Sequence, residues 1–147
     1  MHADVQGPRP AAPADLDAVV GLIRRCGLPV EGVAAMLEAG TLFVITGHAG
    51  DVIGTVGLER HGEQVLLRSL AVESRWRGRR VGSALVDAAV DAAGPAEVWL
   101  LTETAEAFLA GCGFHTVDRA KVVGPVTESF EWRHACPASA TAMTWGR

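Results

Sequence analysis

The chain has 147 residues, 49% of them hydrophobic and 20% charged, enough for one domain with a real core and a composition that argues against disorder. Its formal net charge of −4 argues against general nucleic-acid binding, and no apolar run approaches the ~20 residues of a membrane span. The N-terminus lacks the basic-then-apolar order of a secretory leader, and Cys26, Cys112 and Cys136 are not closely spaced and cannot all pair, so a cytoplasmic location without a disulfide framework is expected.

Residues 1–8 read as a loose tail and residues 9–147 as a single domain. Arg9–Ala12 predicts a short first strand. Pro13–Ala14–Asp15 opens a helix with Leu16, Val19, Val20 and Ile23 on one face, and Gly27–Leu28–Pro29 breaks it. A second helix is expected over about 31–38, ending at Gly40. Thr41–Thr46 and Val52–Leu58 read as consecutive strands around the 48–51 turn. His61–Gly62 then turns the second into a buried strand at Val65–Val72. With Arg60 opposite Glu63 across that turn, Glu59 and Arg68 share a face but lie ~13 Å apart, too far for simple ion pairing.

The next segment, Arg75–Trp76–Arg77–Gly78–Arg79–Arg80–Val81–Gly82–Ser83, sets four arginines within six positions where strand-like sequence gives way to helix-like. Val81, Leu85, Ala89 and Ala92 fall at helical spacing through Ala93, and Gly94–Pro95 stops the helix. Cations at a helix N-terminus oppose the helix dipole. An anion there reverses the sign, taking bonds from free backbone N–H groups and arginine together. The unit is therefore a candidate phosphate or pyrophosphate cradle rather than a solvated basic turn. No Gly-Lys-Ser/Thr follows, which disfavours a nucleotide-binding P-loop. Beyond it come a strand over 97–101, a helix over about 104–110 and a strand over 114–118. A helix over about 127–135 and a final strand over 139–145 complete the chain. The alternation predicts an α/β (α+β) domain on one mixed, mostly antiparallel sheet.

The pattern resembles the GNAT superfamily of acetyl-coenzyme A-dependent N-acetyltransferases. The family loop, Gln/Arg-x-x-Gly-x-Gly/Ala, falls on Arg77, Gly78, Arg79, Arg80, Val81 and Gly82, with Arg80 in place of the first glycine. That departure is mild if φ at Arg80 is helical. A second signature, Asn-x-x-Ala-x-x-x-Tyr-x-x-x-Gly-Phe, falls on Thr102, Ala105, Leu109, Gly113 and Phe114, of which Ala105, Gly113 and Phe114 match. The likeness runs from about Arg9 to the C-terminus. Leu66–Val72, Leu100–Thr102 and Cys136–Ala140 look like the arsenic-resistance branch.

The resemblance implies a sheet splayed at a cofactor cleft, with acetyl-CoA as co-substrate. It places the pyrophosphate on the backbone of Arg79–Ser83, within a loop that begins at Arg77 and Gly78. The pantetheine arm lies along Leu70, Ala71 and Val72 at a strand bulge, with Thr102 and Phe108 as further contacts. It also implies direct attack of a neutral amine on the thioester, which needs an oxyanion donor, a proton acceptor and a proton for the thiolate. The backbone N–H of Leu70 takes the first role. The usual tyrosine donor is Leu109 here, and the chain has no tyrosine, so water protonates the thiolate or it leaves unaided. Arg68 either meets an anionic group of the substrate or pairs with an acid, because a guanidinium among Leu66, Leu67, Leu70 and Val72 is costly to bury alone. Glu59 is either a water-mediated base or an exposed hairpin carboxylate.

Cys136 either meets an arsenic-bearing ligand or packs, Cys26 and Cys112 are expected to be buried, and Phe130 and Trp132 to be packing groups. The five histidines show no metal-ligand spacing. The expected acceptor is a small, amino-acid-like amine. A non-catalytic sensor that keeps the cofactor cradle is the competing class. An edge strand or the Ala140–Trp145 segment offers a surface for a homodimer.

Overall fold

The computed structural model describes residues 5–135 and 138–146. Its strands are β1 (Gln6–Pro10), β2 (Leu42–Thr46), β3 (Val52–His61), β4 (Gln64–Val72), β5 (Glu97–Thr102), β6 (Phe114–Val117) and β7 (Thr141–Trp145), and its helices are α1 (Leu16–Arg25), α2 (Val33–Ala39), α3 (Val81–Ala93) and α4 (Glu106–Gly111). The strands form one sheet in the order β1-β2-β3-β4-β5-β7-β6. Only β4 and β5 run parallel.

Strand alternation sorts the core onto two faces. Ile45, Ile53, Val65, Leu67, Val98 and Leu100 bury against Val81, Leu85, Val86 and Ala89 of α3 and Leu109 of α4. On the other face, Leu42, Val44 and Ala71 meet Val19, Leu22 and Ile23 of α1 and Val33 and Met36 of α2. Leu66 and Ala142 meet Val126 and Trp132 there. Gly54 lets α3 lie close to β3, since a Cβ at that position would stand 2.8 Å from Val81 and 2.9 Å from Leu85. On α3, Ala93 is buried and Ala92 exposed, so the apolar stripe turns one residue later than the spacing suggests.

Three expectations need correction. Strand pairing starts at Gln6, inside the segment read as a tail, and Gln6 lies opposite Thr46. The 127–135 helix is instead a 3-10 turn at Pro125–Glu128 and a π-helical turn at Glu131–Ala135. Ser129 between them is extended, and its Oγ accepts from the Trp132 N–H at 3.2 Å, so the first turn stops and a second begins. Finally, β7 pairs with both β5 and β6, which leaves it no edge for a second subunit.

Candidate active-site cleft

The site begins at an irregularity in β4. Gly57 faces Arg68 but Thr55 faces Ala71, so Ser69 and Leu70 together oppose Val56. Ser69 takes φ +60, a bulge that bends the strand. Pairing of β4 with β5 ends at Leu66 and Trp99, whereas β5 continues to Thr102 on β7. The two parallel strands therefore part. A cleft of ≈ 740 Å³ opens between Leu67–Val72 and Leu100–Ala105, with Leu109 at its lining. Leu109 is 3% exposed and belongs to the core, so its position near the cleft supplies no proton donor. Thr102 Oγ1 accepts from the Ala105 N–H at 3.0 Å and shapes the approach to α4.

At one end of the cleft lies the basic loop. Arg77 Nε donates to the Val72 carbonyl at 3.2 Å and ties the loop to the end of β4. Arg79 stacks over Trp76 at 5.2 Å, and Arg75, Arg79 and Arg80 are exposed. Helix α3 starts at Val81 with no side-chain cap and no acid in its first turn, so its leading amides lack intrahelical partners. The Phe108 ring covers Gly82, where a Cβ would meet Cζ at 3.1 Å. Ser83 hydrogen-bonds the Cys112 thiol, whose pKa is pushed up by burial and by Asp87. Cys26 and Cys112 are half-buried rather than buried; Cys136 lies outside the described residues.

Arg80 departs from the sequence expectation, because it caps α3 at φ +67, in the left-handed region. A side chain there is strained by about 1–2 kcal/mol. Arg80→Gly should therefore raise the unfolding free energy by ~1 kcal/mol in urea, after the greater freedom of glycine in the unfolded chain is counted. The same change should weaken anion binding at the loop.

At the other end sits Arg68, and here too the structure corrects the sequence reading. The hairpin turns one residue later than expected, at Gly62–Glu63, so Glu59 faces Leu66, only two residues from Arg68. Arg68 Nη1 lies 2.9 Å from Glu59 Oε2, and Nε lies 2.9 Å from Glu131 Oε2. Nη2 donates to the carbonyls of Pro29 and Glu31. The Arg68 side chain is fully buried. It borders the cleft, yet its bonds go to protein acceptors, so the direct substrate-anion contact gives way to structural pairing. Gly32 makes room for this head group: at φ +87, it would place a Cβ 2.8 Å from Arg68 Nη1. Glu59 is not an exposed carboxylate either, for it also meets His61 Nε2 at 2.7 Å.

Arg68 thus joins the α1–α2 connection, the β3–β4 hairpin and the β6–β7 connection. Glu131 and Phe130 were not identified as cleft groups from sequence; both border it, with Phe130 44% exposed rather than packed away. The available signal was the acid that a buried Arg68 requires. Trp132 does pack, at 8% exposure. Among the described residues no three His, Cys, Asp or Glu side chains gather as a metal site.

A family model described as "Acetyltransferase (GNAT) domain" matches residues 38–116, more than half of the chain. No curated protein matches. Among solved structures, N-acetylglutamate synthase from Neisseria gonorrhoeae, complexed with coenzyme A and N-acetyl-glutamate, superposes at a TM-score of 0.79 and 19% identity over 99% of this chain; the chain spans 35% of that protein. Rv2747 from Mycobacterium tuberculosis, in complex with CoA and NLQ, gives 0.78 at 21% identity, covering 97% of this chain and 98% of that one. Naa50 from Arabidopsis thaliana, in complex with the bisubstrate analogue CoA-Ac-MVNAL, gives 0.69 at 18% identity over 97% of both chains.

Proposed function

The chain belongs to the GNAT acetyltransferase family, and from that premise we propose that it is an N-acetyltransferase moving the acetyl group of acetyl-CoA to a small amine. The observation that carries this reading is the parting of β4 from β5 at the Ser69–Leu70 bulge, beside the uncapped N-terminus of α3. The residues present fit the co-substrate. Backbone amides from Arg79 to Ser83, with the Arg77–Arg80 side chains, would hold its diphosphate. Leu70, Ala71 and Val72 would offer backbone groups to the pantetheine arm, and Phe108 and Thr102 flank it. Acetyl-CoA supplies an activated acyl group whose thiolate departs when the amine attacks the carbonyl carbon. The Leu70 N–H would stabilise the oxyanion.

Water in the cleft serves for protonation in place of the missing tyrosine, since Leu109 has no proton to give. Glu59 is held away by Arg68 and His61, so a proton reaches it only through water, and the part-exposed His61 offers an exit to solvent. N-acetyl-glutamate in a neighbouring structure supports an amino-acid-like acceptor. The short likenesses to the arsenic-resistance branch place phosphorus and arsenic analogues of amino acids in the acceptor panel. A cytoplasmic location belongs to this reading; no described helix is long and apolar enough to cross a membrane. A homodimer would pair through β1 or β6, the two sheet edges.

Acetyl-CoA at ~100 times its Kd should stabilise the folded protein by ~2.7 kcal/mol, read as a rise in Tm. Thiol release in the presence of an amine separates the enzyme from a sensor of the same fold. An unchanged Tm would refute the reading.

A further inference from the structure

We propose, resting on the acetyltransferase reading above, that the Ser69 hydroxyl is a second catalytic donor: it hydrogen-bonds the thioester oxygen, beside the Leu70 N–H, as negative charge develops there. The strained backbone at Ser69, the unused bonding capacity of its side chain and its place in the cleft carry this assignment together.

The backbone comes first. Ser69 at φ +60 and Arg80 at φ +67 are the two non-glycine residues with positive φ among the described residues. A glycine would make the same bulge without strain, because it has no Cβ to clash in the left-handed region. The bulge therefore accounts for the backbone angle but not for the serine, and strain kept in this way points to a use for the side chain.

The side chain has capacity to spare. Ser69 is 5% exposed, yet it borders the cleft between Arg68 and Leu70. A hydroxyl carries one donor and two lone pairs. Among the described residues Ser69 Oγ has one partner, Arg68 Nε, from which it accepts at 3.3 Å. That nitrogen bears a single hydrogen, and Glu131 Oε2 draws it more closely at 2.9 Å, so the serine bond is the weaker branch. No described protein group accepts the Ser69 proton, and a buried donor is costly unless water or a ligand takes it. The guanidinium hydrogen on Oγ also makes the O–H a stronger donor.

The place fits an oxyanion. Ser69 and Leu70 are consecutive, so both donors come from one bulge whose partner strand fixes it at Gly57 and Thr55. The other hydroxyls that border the cleft, Thr102 and Thr104, stand across it at and beyond the end of β5. As the amine nitrogen bonds to the carbonyl carbon, the π electron pair moves to oxygen; it returns when the carbon–sulfur bond breaks and the thiolate leaves. Ser69 keeps its proton throughout, so water still protonates the thiolate. A donor aimed at charge that appears only in the transition state acts on kcat rather than on binding.

The test uses the full chain with acetyl-CoA and hydroxylamine, a small nucleophile that yields acetohydroxamate and needs no acceptor subsite. Ser69→Gly keeps a positive φ without strain and so retains the Leu70 N–H; Ser69→Ala keeps the Cβ. Turnover at saturating acetyl-CoA, above the uncatalysed rate, should fall about 100-fold in both variants. The calorimetric acetyl-CoA Kd should stay within about twofold of wild type, which also reports folding. Isotope-edited infrared spectroscopy of bound acetyl-CoA, labelled at the thioester carbonyl carbon, should place the C=O band at higher frequency in both variants, because one hydrogen bond is lost. Turnover within about threefold of wild type in either variant overturns the inference, since an oxyanion donor contributes far more. So does a loss that appears in the acetyl-CoA Kd instead, or a carbonyl band that neither substitution moves; the band decides even where hydroxylamine reacts poorly. Absence of acetyl-CoA binding to the wild-type protein removes the acetyltransferase reading itself and this inference with it.

Discussion

Replacing Arg68 with methionine is expected to lower the unfolding free energy by about 3–5 kcal/mol, because it leaves Glu59 and Glu131 facing a buried site without their shared cation. At roughly 2–4 °C per kcal/mol for a chain of this size, Tm should fall on the order of 10 °C. The sign is set by desolvation. Removing one member of a buried ionic cluster strands its partners, whereas neutralising the whole cluster does not. The triple variant Arg68→Met, Glu59→Gln, Glu131→Gln should therefore recover much of the loss. Differential scanning calorimetry of the single and triple variants checks this. A triple variant no more stable than the single would mean that Arg68 contributes through packing and its carbonyl bonds rather than through charge. The acceptor KM should rise in parallel, because both connections that wall the cleft hang on this side chain.

The second large effect lies at the opposite end of the cleft. Reversing Arg79 and Arg80 to glutamate should weaken acetyl-CoA binding at least 100-fold, since each charge-assisted hydrogen bond contributes about 1.5–3 kcal/mol. The free protein should respond the other way. Acids near the start of α3 suit the helix dipole, by about 0.3–1 kcal/mol per charge, and no acid occupies that turn now. Binding lost while Tm rises would separate a ligand site from a merely structural loop. Isothermal calorimetry and thermal unfolding on the same sample read both signs. The wild-type affinity should also fall as salt rises, because the exposed guanidinium charges are screened.

Much of this architecture was legible in the residues. Helix α3 follows from its spacing and from Gly94, and the cleft's position follows from the arginine-rich loop beside a buried strand. What escaped was governed by distant contacts. The Glu59–Arg68 register depended on which residue turned the hairpin, and a two-residue shift halves their separation along the strand while keeping both on one face. The break at Ser129 was hidden because a serine between Glu128 and Phe130 suits a helix or a cap equally well, and the Trp132 amide decides it. Arg80 in the left-handed region was missed for a different reason: nothing in the local sequence marks an arginine for positive φ.

The placement of β7 has a consequence for vectorial synthesis. This strand follows β6 in sequence yet lies between β5 and β6, so β6 has no docking partner until translation has passed Trp145. The β2–β3–β4 meander can zip from adjacent hairpins while the nascent chain is still being extended. The free edge of β5, carrying Leu100 and Leu101, must wait. During that interval an unpaired apolar edge is open to wrong partners, and a chaperone that shields it should raise the yield of native molecules without altering their final stability.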